Sequence, residues 1–172
     1  MADSRRAADA AEAAARAAEM SADADQRLAQ LETAGLHDSY APRFEGRWRF
    51  EKSQLQDGSR HLVYQFKLDR DYRIEAIAWT MNRAGQIGPP TVTPPSAPGG
   101  DWTIWVEQWS RDRTHSEVRE LELRFWSPRA VPGRAKPWEC RCGGPGPDDS
   151  APHWDAIVKV TPPPPVKVVV PS

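Results

Sequence analysis

Along the first thirty-odd residues apolar side chains recur every three and four positions, and after Ala41 they recur every two. Setting Ala7, Ala14, Ser21 and Leu28 at heptad position a places Ala10, Ala17, Ala24 and Leu31 at d. Positions c and f then collect Asp9, Glu12, Arg16, Glu19, Asp23, Gln26, Gln30 and Thr33. An apolar seam opposite a charged face is the layout of a helix that packs on other helices. The pattern predicts one helix over 5–34, with Gly35 as its stop, because glycine readily takes the left-handed conformation that ends many helices. Alanine at a and d lets backbones approach closely but buries little area per contact, at roughly 25 cal/mol per Å². Such a seam needs several chains or a long partner, and Leu28, Leu31 and Leu36 concentrate its bulk toward the C-terminal end. The expectation is self-association or docking into a larger assembly; packing on the chain's own β domain and a frayed tail are the competing readings.

From Trp48 onward the period is that of strands. Trp48 and Phe50 alternate with Arg47, Arg49 and Glu51, and Leu62, Tyr64, Phe66 and Leu68 alternate with Val63, Gln65 and Lys67. An Asp57-Gly58 turn between these runs predicts a hairpin. A second hairpin is expected to turn at 69–71 into Tyr72–Trp79, where adjacent Ala76 and Ile77 suggest a bulge or a strand buried on both faces. Prolines at 89, 90, 94, 95 and 98 exclude a central strand from 85–100, which reads as a long loop. Strands resume at 102–109, at 118–126 with Leu121, Leu123 and Phe125 on one face, at 154–161 and at 166–170. The organisation predicted is an alanine-rich helical stem over 1–36, a neck at 37–45, and an antiparallel β-sandwich or jelly roll over 46–172 with Pro/Gly-rich loops at 85–100 and 127–152. By content the chain is α+β.

Charge adds little. The stem carries a net −3 and the remainder a net +2, and arginines alternate with acids instead of forming a stripe, so nucleic acid is not an expected partner. Asp3, Arg5, Arg6, Asp9 and Glu12 interrupt any apolar run, which argues against a secretory signal or a membrane span, and the acids argue against a mitochondrial presequence. The heavy use of Ala, Arg, Pro and Trp suggests a high-GC coding background.

The eight tryptophans are the most distinctive feature of the β region. Strict alternation sends Trp102, Ile104 and Val106 inward and puts Trp105, Glu107 and Trp109 on the opposite face. Trp105 and Trp109 are therefore the candidate interface or glycan-stacking pair, to be covered by the 85–100 loop, a second subunit or a sugar. Cys140, Cys142 and His153 invite a zinc reading, but a spacing of one with no second pair departs from the usual ligand pattern. A Cys-x-Cys disulfide would be strained, so two free thiols and no metal are expected. Asp148-Asp149 lacks the alternating ligands of a calcium loop. No nucleophile elbow, metalloprotease motif or phosphate loop occurs, and Glu107, Glu117, Glu120, Glu122 or an Asp112–His115 pair are the only carboxylate and base candidates. The expectation is a non-enzymatic chain without cofactor.

The stem (Arg6 to Arg16, Arg-Ala-Ala-Asp-Ala-Ala-Glu-Ala-Ala-Ala-Arg), the short neck and the compact Trp-rich β domain together resemble the tail-fibre, minor tail and decoration proteins of phages of high-GC bacteria. The resemblance is one of architecture and composition and carries over no binding residue. It implies a virion component made in the host cytoplasm, a trimer with stem residues Ala7, Ala10, Ala14, Ala17, Ala24, Leu28 and Leu31 at the oligomer seam, the stem on the particle and the β domain outward. A carbohydrate-binding or adhesion module recognising a surface glycan, and a cytoplasmic partner-docking subunit, are the alternative classes.

Overall fold

The computed structural model describes residues 2–53, 58–80, 86–87, 89–129, 132–133, 138–140, 142 and 151–163, with side chains from residue 10 onward and not at 86–87. It divides into two compact units, Met1–Ala41 with Cys140–Gly144, and Pro42–Glu139 with Pro145–Ser172.

The first unit is built on one helix, α1 (Ala2–Ser39). It runs through Gly35, so the expected stop at that residue, and with it the expected start of a non-helical neck at 37, is corrected. Glycine costs about 1 kcal/mol against alanine inside a helix, which one residue among strong helix formers does not overcome. The stop is set by Pro42, which disfavours helical geometry at Ala41 and has no N–H to donate to Asp38. The last turn closes locally: Tyr40 N donates to Leu36 O and His37 O (3.2 and 3.1 Å), and Ser39 Oγ donates to Leu36 O at 2.7 Å. From Ala10 to Leu36 every side chain except Thr33 is exposed. No helix is long and apolar enough to cross a membrane among the described residues.

The second unit is a β-sandwich. Its strands are β1 (Gly46–Lys52), β2 (Arg60–Phe66), β3 (Arg73–Trp79), β4 (Gln86–Ile87), β5 (Thr91–Thr93), β6 (Trp102–Trp109), β7 (Glu120–Trp126) and β8 (Trp154–Lys159). Among the described residues they form two four-stranded antiparallel sheets, β1-β2-β6-β5 and β4-β3-β7-β8. Each sheet pairs sequence neighbours at its edges, unlike the double Greek key of a jelly roll. The predicted first hairpin forms: β1 and β2 pair from Gly46↔Phe66 to Lys52↔Arg60, Gly58 holds φ +75°, and Ser53 N donates to Ser59 O at 3.1 Å. Asp57 itself lies outside the described residues, as does the strand expected at 166–170. The second expected hairpin does not form. β2 pairs with β6 and β3 with β7, so the chain at 69–71 crosses from one sheet to the other. Two inward faces must come from different sheets to enclose a core, and this crossing supplies them. β3 has no bulge; its register with β7 is continuous, with Ala76 and Ala78 buried and Ile77 half-exposed on the other face. The region read as a loop at 85–100 contributes β4 and β5, both at sheet edges, where proline-rich sequence is tolerated.

Leu62, Tyr64, Phe66, Ile104, Leu121, Leu123 and Phe125 are all at most 5% exposed and form the core. Phe44, on the approach to β1, lies with its ring centroid 5.0 Å from Phe66 of one sheet and 5.6 Å from Phe125 of the other. Trp48 Nε1 donates across to Lys159 O at 3.1 Å. Gly46 is required by close approach, because a Cβ there would overlap the Tyr64 ring. Gly46→Ala is expected to destabilise the unit by about 1–3 kcal/mol through overpacking, measured as a lowered urea midpoint at unchanged slope.

Candidate functional site

The predicted oligomerisation residues all lie on α1. Ala10, Ala14, Ala17, Ala24, Leu28 and Leu31 are exposed, Leu28 at 60% and Leu31 at 69%; Ala7 lies in the helix, its side chain outside the described set. The a/d stripe read from the heptads is thus a solvent-facing apolar line on a helix about 57 Å long at 1.5 Å per residue.

The two candidate indoles are separated. Trp105 pairs with Val63 and Ile104 with Tyr64, but Leu62 pairs with Glu107, so Val106 is an extra residue and the register slips there. A bulge reverses the parity of every later residue in the strand. Trp105 keeps its outward place, half-buried, with its Nε1 donating to Thr93 Oγ1 of β5 at 3.2 Å and His61 edge-on at 5.3 Å. Trp109 turns inward and is 2% exposed, against Phe50 at 4.9 Å. The expected outward Trp105–Trp109 pair is therefore corrected: Trp109 is a core residue, and the cover over Trp105 comes from the 85–100 segment.

The same parity switch carries Glu107 inward. At 8% exposure its carboxylate accepts four donors: Trp109 Nε1 and Ser116 Oγ on Oε2, both at 2.8 Å, and Arg113 Nη2 (2.6 Å) and Glu117 N (3.1 Å) on Oε1. A buried charge saturated by donors holds the 110–117 loop to the end of β6. Arg113 extends the hold through Nε to His115 O (3.0 Å) and Nη1 to Gln108 O (3.3 Å). His115 Nδ1 contacts Thr114 Oγ1 at 3.4 Å, so the Asp112–His115 base pair considered from sequence has a different partner. Glu122, on the outer face of β7, is also drawn in, accepting from Trp79 Nε1 (2.8 Å) and Arg124 Nε (2.7 Å). These acids serve the sheets as fixed acceptors.

A cleft of about 560 Å³ opens beside the Glu107 network, lined by Phe50, Arg60, Trp109, Arg111, His115 and Arg119 among others. Arg60 stacks over Phe50 at 3.9 Å and Arg113 stands 5.6 Å from the Trp109 ring, so two of its guanidiniums are already engaged with the wall. An aromatic cluster closes another corner of the sandwich. Tyr72 packs edge-on against Phe125, Trp138 and Trp154 at 5.1–6.1 Å, and Trp138 Nε1 donates to Asp71 O at 3.0 Å. Burial, reinforced by Asp69 and opposed by Arg70, pushes the Tyr72 phenol up to about 12.

In the first unit the structure assembles what spacing alone did not suggest. His37, in the last turns of α1, has Nδ1 3.6 Å from Cys140 Sγ. Cys140 and Cys142 form no disulfide and are half-buried, and the donor atoms of these three residues lie within 4.8 Å of one another. Burial raises the Cys140 thiol, with Cys142 both lowering it through a backbone hydrogen bond and raising it through its side chain. Spacing alone does not join His37 to this pair, because it stands 103 positions from Cys140 and falls in the predicted neck. No family model, curated protein or solved structure matches the chain.

Proposed function

We propose that the chain is a non-catalytic structural component that self-associates through α1 and displays the β-sandwich. The observation that carries this reading is the line from Ala10 to Leu31, an apolar heptad seam whose side chains are exposed. Exposed alanines along the helix, with Leu28 and Leu31 at its C-terminal end, lose that exposure when helices pair, and alanine at the seam admits a close-packed bundle. The order of a long helix, then a compact sandwich with saturated internal acids, fits a part that holds and presents. Its resemblance in layout to phage tail-fibre, minor tail and decoration proteins makes a virion the proposed setting, with a trimer as the proposed state. With Trp109 in the core and Trp105 bonded to Thr93, the glycan reading loses its paired indole platform.

Sedimentation equilibrium of the whole chain at tens of micromolar tests the association. A defined trimer is expected, and Ala14→Glu with Ala17→Glu, which puts charge at close-packed seam positions, is expected to yield monomers with an unchanged near-ultraviolet spectrum. A wild-type monomer refutes self-association and leaves docking to a different protein. The virion setting is tested by mass spectrometry of purified particles from the source culture, in which the chain must copurify at fixed stoichiometry.

A further inference from the structure

We propose that His37, Cys140 and Cys142 bind one zinc ion, independently of any role of α1 in assembly. A tetrahedral zinc with about 2.3 Å to sulfur and about 2.0–2.1 Å to nitrogen holds S and N about 3.5 Å apart and two sulfurs about 3.8 Å apart. Cys140 Sγ and His37 Nδ1 stand at 3.6 Å, and all three donors fit within 4.8 Å. One donor pair thus already stands at the separation of a tetrahedron edge, and the third lies close enough for a small shift to bring it onto the same ion.

The donor types select the ion. Two thiolates with an imidazole are a borderline-soft set, matched to zinc and poorly matched to magnesium or calcium, which take oxygen. Two cysteines separated by one residue form only a strained disulfide, but both sulfurs can reach one metal. Neither forms a disulfide here, and the imidazole is delivered from α1, whose helical course past Gly35 is what carries His37 to that point. Binding would release the thiol protons to solvent, so affinity falls as pH falls.

Three protein donors leave one corner of the tetrahedron. A water there would complete four-coordination. In the sandwich His61 stands against the Trp105 ring and His115 against Thr114.

The test uses the whole chain expressed in zinc-supplemented medium and dialysed. Native mass spectrometry and elemental analysis are expected to find one zinc per chain. Replacement by cobalt is expected to give the intense visible bands of a tetrahedral thiolate site. Thiol alkylation should be slow in the zinc form and fast after chelation, a readout that needs no variant. Cys140→Ser and Cys142→Ser should each abolish the cobalt–thiolate bands or halve their sulfur-to-metal charge transfer, and His37→Ala should weaken zinc binding by more than about tenfold, as losing a ligand costs at least what losing its support does. His61→Ala and His115→Ala should leave binding unchanged. A metal-free wild-type chain after zinc loading, alkylation indifferent to chelation, or zinc retained by the double Cys140→Ser, Cys142→Ser variant overturns the proposal. Sedimentation of the chelated chain keeps this result separate from assembly, since a trimer can persist without metal.

Discussion

Replacing Glu107 by Ala is expected to lower the stability of the β-sandwich by about 3–5 kcal/mol, the range for removing one partner of a buried charge pair. The magnitude follows from what is left behind. The carboxylate is the common acceptor of Trp109 Nε1, Ser116 Oγ, Arg113 Nη2 and Glu117 N. Without it, three neutral donors and a guanidinium lose their shared acceptor, each neutral donor costing about 1–3 kcal/mol if unmet. Arg113 can swing to Glu117, already 3.1 Å away, which recovers part of the loss. Glu107→Gln keeps the shape but turns one acceptor into a donor facing donors, so it should fall between wild type and alanine. Glu117→Ala, whose side chain is 67% exposed, should cost no more than about 0.5 kcal/mol. Urea unfolding of the four proteins decides it. Equal midpoints for wild type and Glu107→Ala would mean that water enters and the network contributes nothing net.

This network marks the limit of what the sequence made legible. Period-two alternation locates β1, β2, β3, β6, β7 and β8, and it puts Leu121, Leu123 and Phe125 on one face, where all three are buried, because they alternate with charged residues along β7. The Asp-Gly dipeptide announced the first hairpin. The bulge at Val106 was not announced: Trp102–Trp109 contains no glycine or proline to mark it, and its position depends on which partner residues β2 brings alongside. One unmarked residue therefore misplaced both Glu107 and Trp109. Two other failures have different causes. Pro42 stood in plain view as a helix stop, but Gly35 came first and carried the stronger local signal. His37 and Cys140 lie too far apart in sequence for spacing to join them, and nothing in either local stretch indicates the other. Local patterns report strands and turns; only the folded chain reports which distant donors share a point.

Trp109→Ala is expected to cost about 3–5 kcal/mol, as removal of a buried aromatic does, whereas Trp105→Ala should cost about 1 kcal/mol, the centre of the range for point changes. Both are tryptophans of β6 four residues apart, and strict alternation would make them equivalent. Their environments differ because Val106 resets the parity between them. Trp109 fills space against Phe50, lies under Arg60 at 5.5 Å, and donates to Glu107. Its loss leaves a cavity at the end of the core and removes one of the donors that satisfy a buried charge. Trp105 loses a hydrogen bond to Thr93 and an edge contact with His61, at a place where solvent can fill in. Because Trp109 and Glu107 touch, their effects should not add; a double-mutant cycle should return a coupling of about 0.5–3 kcal/mol, and Trp105 with Glu107 should return close to zero. Comparable losses for the two single tryptophan variants would mean that the parity of β6 is not reset at Val106. In that case Glu107 would stand on the solvent side as well, and its substitution by Ala should then be nearly silent.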